Sequence, residues 1–94
     1  MPPATDAWLG RWPGVEGSFL QIDGGRGVYR VTVHNLDGPR RFAGTARDDG
    51  GIDFQRDGVH ETLRATDGAG TGMKWLTDRR HCLVIRRGEG FCRD

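Results

Sequence analysis

Glycine most constrains what this chain can form, because sixteen glycines divide its 94 residues into short segments. Inside a helix each glycine costs about 1 kcal/mol relative to alanine, so long helices are disfavoured. Many of the glycines stand beside Asp or Pro, and such pairs are typical of turns. The spacing therefore predicts short extended segments joined by tight turns.

The segments between these turns alternate apolar and polar residues as strands do. In residues 27–34, Tyr29, Val31 and Val33 alternate with polar side chains. Other segments that read as strands lie at 8–12, 18–23, 41–47, 52–56, 59–66 and in the last dozen residues. We expect an all-β fold, a small antiparallel up-and-down β-barrel of about seven to eight short strands, because closure removes the exposed sheet edges.

The length allows one core. We expect residues 1–7 to form a flexible N-terminal arm and residues 8–94 to form a single barrel domain. The first residues carry neither the basic nor the apolar region of a signal peptide, so an exported form would have lost its signal. Glu61 shares a strand face with Val59 and Leu63, which predicts a bulge or an open barrel end there.

The segment around Trp75 departs from the strand pattern. Residues 66–72 read as a loop, and a short helical turn is expected near 73–80. This segment is either a plug over one barrel end or a lid or contact surface built around Trp75. The candidate binding residues are Met73, Lys74, Trp75, Arg79 and Arg80.

The last hairpin has a geometry that can be derived from its turn. With Arg86-Arg87-Gly88 as a three-residue loop, Gly88 takes the left-handed position and Ile85 closes the hairpin against Glu89. Counting outward pairs Val84 with Gly90, Leu83 with Phe91 and Cys82 with Cys92. The cysteine pair is then not hydrogen-bonded, which brings its side chains closest.

This register predicts a disulfide between Cys82 and Cys92. Closing the loop would stabilise so small a domain by about 2.8 kcal/mol. A structural disulfide indicates a periplasmic or secreted protein. The alternative is a cytosolic hairpin with two reduced cysteines.

The sequence contains few residues that could act in catalysis. Ser18 is the only serine, and His34, His60 and His81 lie in polar or charged surroundings without a local nucleophile motif. The cysteine and histidine spacing does not match a zinc site. We expect no catalytic residues, no cofactor and no metal.

Residues Gly10-Arg11-Trp12 form a Gly-x-Trp motif at the start of the first strand. This motif, with the meander that follows, resembles the opening of calycin barrels: lipocalins, avidins and small bacterial metalloprotease inhibitors. The resemblance implies that Trp12 packs across the closed barrel end. It also implies that an arginine of the last strand lies over the indole, and Arg93 is the candidate.

These observations favour a non-catalytic binding domain of the bacterial envelope or exterior whose partner is a protein or an envelope component rather than nucleic acid. The contact surface would be either residues 68–80 around Trp75 or the Pro2–Trp8 arm, which an inhibitor-like protein would insert into a protease cleft. The alternative is a cytosolic barrel that binds anions or oligonucleotides. Its candidate residues are Arg40, Arg41, Arg79, Arg80, Arg86 and Arg87.

Overall fold

The computed structural model describes residues 3–94. In that part of the chain, eight antiparallel strands follow one another as a meander, each paired with the next. They are β1 (Gly10–Pro13), β2 (Phe19–Gly25), β3 (Val28–Asn35), β4 (Gly38–Ala46), β5 (Ile52–Arg56), β6 (Val59–Thr66), β7 (Cys82–Arg86) and β8 (Glu89–Cys92). The predicted all-β fold is confirmed.

Three short 3₁₀ helices accompany these strands in the described residues, at Ala4–Trp8, Ala69–Thr71 and Lys74–Leu76. The helical turn expected near 73–80 is therefore confined to three residues. Trp8, predicted within the first strand, ends a 3₁₀ helix instead. Across residues 3–94 we find no helix with the length and apolar character that a membrane crossing requires.

The first and last strands lie beside each other, so the sheet forms a nearly closed barrel. At this seam the ring of Phe91 packs so closely that a Cβ on Gly14 would lie 2.8 Å from the phenyl Cδ1. Glycine thus allows the end of β1 to approach β8. Side-chain packing thus joins β1 and β8 at the seam.

Apolar side chains fill the barrel interior, as the strand alternation predicts. The buried cluster consists of Trp12, Leu20, Ile22, Tyr29, Val31, Val33, Ile52, Phe54, Leu63, Leu83, Ile85 and Phe91. A Cβ on Gly44 would lie only 3.0 Å from methyl groups of Ile52 and Val31. The interior is therefore packed so closely that a larger residue at this strand position would require its neighbours to shift.

The N-terminal residues do not form the flexible arm that was predicted. Ala4–Trp8 is a 3₁₀ helix, and Thr5 is buried with its hydroxyl 2.6 Å from the Tyr29 hydroxyl. Tyr29 donates to Asp6 at 2.7 Å, which holds the pKa of Asp6 below its ordinary value. Polar contacts with the β2–β3 hairpin thus fasten this segment, while Met1 and Pro2 lie outside the described residues.

The last hairpin follows the predicted register with one difference. Cys82 faces Cys92 in a disulfide, and Gly88 has the left-handed φ of 89°. The closing pair is Arg86 with Glu89 rather than Ile85 with Glu89, because the register shifts between residues 84 and 86. The shift leaves Ile85 in the core cluster.

Glu61 lies at an open end of the sheet and not at a bulge. Its strand β6 pairs with β5 in regular register, with Phe54 opposite Glu61. Pairing of β6 with β7 involves only residues 64–66 of β6. Glu61 therefore stands where β6 and β7 separate.

Candidate functional site

Residues 67–80, the Trp75 segment, cross the outer face of the last hairpin. Leu76 packs against Cys82 and Cys92, whose side chains are 2% and 3% exposed. Leu83, the neighbour of Cys82 in β7, points into the barrel, so the disulfide faces outward. The segment therefore covers the outer side of the hairpin, and the predicted plug over a barrel end is wrong.

Close backbone packing holds the Trp75 segment in place. The Gly68 N–H donates to the Arg79 carbonyl oxygen at 2.8 Å. A Cβ on Gly68 would lie 1.6 Å from the Leu76 carbonyl oxygen, so the segment can close here only with glycine. Buried Thr71 donates its hydroxyl to the Gly68 carbonyl oxygen at 2.6 Å and accepts from the Met73 N–H at 3.1 Å.

This anchoring presents Trp75 to solvent. Met73 and Leu76 belong to the cluster over the disulfide, whereas the side chain of Trp75, between them, is 76% exposed. Lys74, Arg79 and Arg80 are also exposed. Four of the five predicted binding residues are therefore exposed on this segment, whereas Met73 packs against the hydrophobic cluster beneath it.

Asp94 fixes the end of this segment. Its carboxylate accepts from the backbone N–H groups of Arg80 at 2.7 Å and His81 at 3.2 Å. The hydrogen bond from Arg80 is the main cause that lowers the pKa of Asp94. Arg79 donates to the Asp94 carbonyl oxygen at 2.5 Å, so the guanidinium group of Arg80 is the freer of the two.

A groove of about 420 Å³ lies beside Met73, between the β1–β2 turn, the β3–β4 turn and the last hairpin. Val15, Leu36 and Phe91 contribute to its lining. Leu36 is 89% exposed. This groove was not predicted from the sequence, although the leucine within the turn sequence Asn-Leu-Asp-Gly is a signal for an exposed apolar site.

Trp12 and Arg93 meet at the barrel seam as the family resemblance implied. The Arg93 guanidinium carbon lies 3.9 Å from the indole centroid of Trp12. Arg93 also donates to the carbonyl oxygens of Leu9 at 3.1 Å and Ala7 at 2.6 Å. The contact joins the end of the chain to the segment that leads into β1, where Gly10 adopts a φ of 112°.

The six arginines of the anion-binding alternative do not form one patch. Arg40 pairs with Asp57 at 2.5 Å, and Arg86 pairs with Glu61 at 2.6 Å. The others are exposed on separate elements: Arg41 on β4, Arg79 and Arg80 in the Trp75 segment, and Arg87 in the last turn. Two of the six arginines are thus engaged in ion pairs, and anion or oligonucleotide binding stays a prediction.

Glu61 belongs to an ion cluster that sequence reasoning did not find. Arg56 donates to Glu61 at 2.9 Å and to Glu89 at 2.6 Å, and Arg86 donates to Glu61 at 2.6 Å. Burial opposes the ionisation of Glu61, but the two guanidinium groups outweigh it and lower its pKa. These contacts join the tips of the β5–β6 and β7–β8 hairpins where backbone pairing has ended.

His60 on β6 has an acidic side chain beside it. His60 Nε2 lies 3.0 Å from Asp53 on the outer sheet surface, and its side chain is 57% exposed. Asp53 also accepts from Arg47 at 3.0 Å and from Thr62 at 2.8 Å. The Asp53 carboxylate is thus shared by three side chains.

The candidate nucleophiles of the sequence are engaged elsewhere. The hydroxyl of Ser18 donates to the Val15 carbonyl oxygen at 2.7 Å, and both cysteines form the disulfide. Within residues 3–94, no three ligand side chains of the His, Cys, Asp or Glu type gather into a candidate metal site. Comparison with family models, curated proteins and solved structures finds no significant match to this chain.

Proposed function

We propose that this chain is a non-catalytic binding domain of the bacterial envelope or exterior, and that it contacts a protein partner through the Trp75 segment. The observation that carries the proposal is the 76% exposure of Trp75 on a segment anchored through Met73 and Leu76. A large aromatic side chain is typical of residues that dominate binding energy. Because the backbone of the segment is anchored, its ordering cost is met by the fold before a partner arrives.

The charges around Trp75 favour an acidic partner. Lys74 is adjacent to Trp75 in the sequence and Arg80 ends the same segment. Both are exposed and form no salt bridge with the carboxylates of residues 3–94. Positive charge at the edge of an apolar contact steers an acidic surface into place. We therefore infer a partner that offers an apolar pocket for the indole with carboxylates around it.

An inhibitor-like contact would be made by the Trp75 segment and not by the N-terminal arm. Thr5 and Asp6 are bound to the barrel, so residues 3–8 are not free to enter a protease cleft. The stacking of Arg93 on Trp12 supports the calycin-like architecture that Gly10-Arg11-Trp12 implied. On this proposal the barrel is a scaffold and its filled interior holds no ligand.

Photocrosslinking tests this contact surface. A photoreactive phenylalanine analogue replaces Asp78, which is exposed three residues after Trp75, in one variant and Val59, which is 50% exposed, in the other. We expect a discrete adduct of defined mass from envelope extract with the analogue at position 78 and no such adduct at position 59. Equal adducts at both positions, or none at position 78, would overturn the proposed surface.

The compartment can be tested separately through the thiols. We expect no free thiol per chain after isolation of the native protein without reductant, because the disulfide is buried and secreted proteins retain such bonds. The cells are treated with a membrane-permeant alkylating agent before lysis, and the mass of the denatured, unreduced chain then counts the cysteines that were free. One or more free thiols per chain would instead favour the cytosolic alternative, which salt-sensitive retention on single-stranded DNA would support.

A further inference from the structure

We propose a phosphoryl-anion binding site on the outer face of β1–β4, independent of the Trp75 surface. A shallow depression of about 430 Å³ lies on this face. Arg11, Arg30 and Arg41 all contribute to its lining, together with a single carboxylate, Asp23. The depression therefore has an excess of positively charged side chains, which attracts anions.

The strand register explains why these arginines converge. Arg11 lies opposite Gln21, Gln21 opposite Thr32, and Thr32 opposite Arg41, which places all four on one row across the sheet. Arg30 precedes Thr32 by two residues on β3 and therefore shares its face. Thr32 is 8% exposed, so it forms the floor between the flanking arginines.

The face leaves two of its positive charges uncompensated. Arg30 and Arg41 are exposed and diagonal to each other across β3 and β4, and no salt bridge to them is found in residues 3–94. Asp23 lies opposite Arg30, but its carboxylate oxygens instead accept from Gln21 Nε2 at 3.3 Å. Like charges at neighbouring positions across a sheet repel, and an anion between them would relieve that repulsion.

The third arginine is held in position by an aromatic stack. Phe19 and His34 are parallel, with ring centroids 4.7 Å apart. The Arg11 guanidinium carbon lies 3.9 Å from the Phe19 centroid, and Arg11 donates to Gln21 Oε1 at 3.0 Å. Arg11 is thus preorganised at the rim, which reduces the entropy lost on binding.

A tetrahedral oxyanion suits this arrangement better than a carboxylate. Guanidinium groups donate from several directions, and a phosphoryl group has enough oxygens to accept from more than one of them. The depression is open and shallow, so the phosphoryl group can belong to a free phosphate or to a lipid headgroup. Both sources present the same chemistry to Arg30 and Arg41.

The test uses the full chain and two double variants of equal charge. Arg30→Gln/Arg41→Gln removes the site, and Arg26→Gln/Arg87→Gln removes two exposed arginines elsewhere. Inorganic phosphate is titrated against matched sodium chloride while backbone amide shifts are followed by NMR. We expect saturable shifts at Thr32 and its neighbours in the wild type and the control, and affinity at least about tenfold weaker in the site variant.

A second arm identifies the source of the phosphoryl group. Vesicles containing phosphatidylglycerol are compared with vesicles of phosphatidylcholine alone in a sedimentation assay. Recruitment by the anionic vesicles that the site variant loses assigns a lipid headgroup, and phosphate binding without recruitment assigns a free phosphate. Equal phosphate affinity in wild type and site variant, or shifts confined to other faces, would overturn the proposal.

Discussion

Replacing Cys82 and Cys92 together with alanine is expected to lower the free energy of unfolding by about 3–4 kcal/mol. Loss of the closed loop accounts for about 2.8 kcal/mol. The remainder comes from packing, because the two cysteines form a small buried cluster with Leu76. For a domain of this size the melting temperature should fall by roughly 10–20 °C.

Thermal unfolding followed by circular dichroism measures this loss. Val59→Ala is the control, because Val59 is half exposed and its truncation is expected to change stability by less than about 0.5 kcal/mol. A loss below about 1 kcal/mol in the double variant would show that the disulfide does not constrain the unfolded chain as the loop-closure model requires.

The rate at which the Cys82–Cys92 disulfide is reduced measures how well the Trp75 segment covers it. Because the cysteines are 2% and 3% exposed, a reductant reaches them only when the Trp75 segment opens. Leu76→Ala removes the side chain that covers the disulfide, and we expect faster reduction in this variant than in Trp75→Ala, whose indole is exposed. Equal rates in the two variants would contradict the covering role of Leu76.

Glu61→Gln is expected to lower the free energy of unfolding by about 2 kcal/mol at neutral pH. Glu61 is 6% exposed and accepts from Arg56 and Arg86. An amide of the same shape retains the packing but loses the charge that compensates the guanidinium groups. The expected cost lies below that of a fully buried pair, because Arg86 is half exposed and Arg56 keeps its contacts with Glu89.

Asp57→Asn is the matched control, since it makes the same chemical change in an exposed ion pair. Asp57 pairs with Arg40, and the two side chains are 67% and 46% exposed. Solvent screens such a pair, so the unfolding midpoint should remain within experimental error. Equal losses in Glu61→Gln and Asp57→Asn would show that burial of Glu61 adds nothing to its ion pairs.

The pH dependence of the Glu61 effect has a definite sign. The pKa of Glu61 is lower in the folded protein than in the unfolded chain. Its stabilising contribution is therefore complete above the unfolded pKa and disappears as the pH falls through the lower folded value. The stability difference between wild type and Glu61→Gln should shrink towards zero in strong acid, and a difference independent of pH would contradict the assigned cause.

Local sequence rules account for much of the fold. Alternation of Tyr29, Val31 and Val33 located β3, because side chains of a strand point to opposite faces in turn. Gly88 located the last turn, and counting from it paired Cys82 with Cys92. The closing pair differed because the register shifts between Val84 and Arg86, and a residue-by-residue count outward from the turn does not include such a shift.

Contacts between distant parts of the chain were less accessible to sequence reasoning. Residues 1–7 were predicted to form a flexible arm, yet Thr5 and Asp6 form hydrogen bonds with Tyr29, which lies more than twenty residues further along the chain. The apparent misfit of Glu61 likewise has its explanation on another hairpin, in Arg86. Neither partner can be identified without knowing which strand ends meet.

The sequence by itself determined the all-β class, the position of most turns and the disulfide register, because these depend on side-chain alternation and backbone conformation within a few residues. The tertiary structure decided which surfaces the chain presents. It placed Leu76 over the disulfide with Trp75 outward, and it brought Arg30 and Arg41 to one face. Such groupings depend on strand register and barrel closure, which join residues that are far apart in the chain.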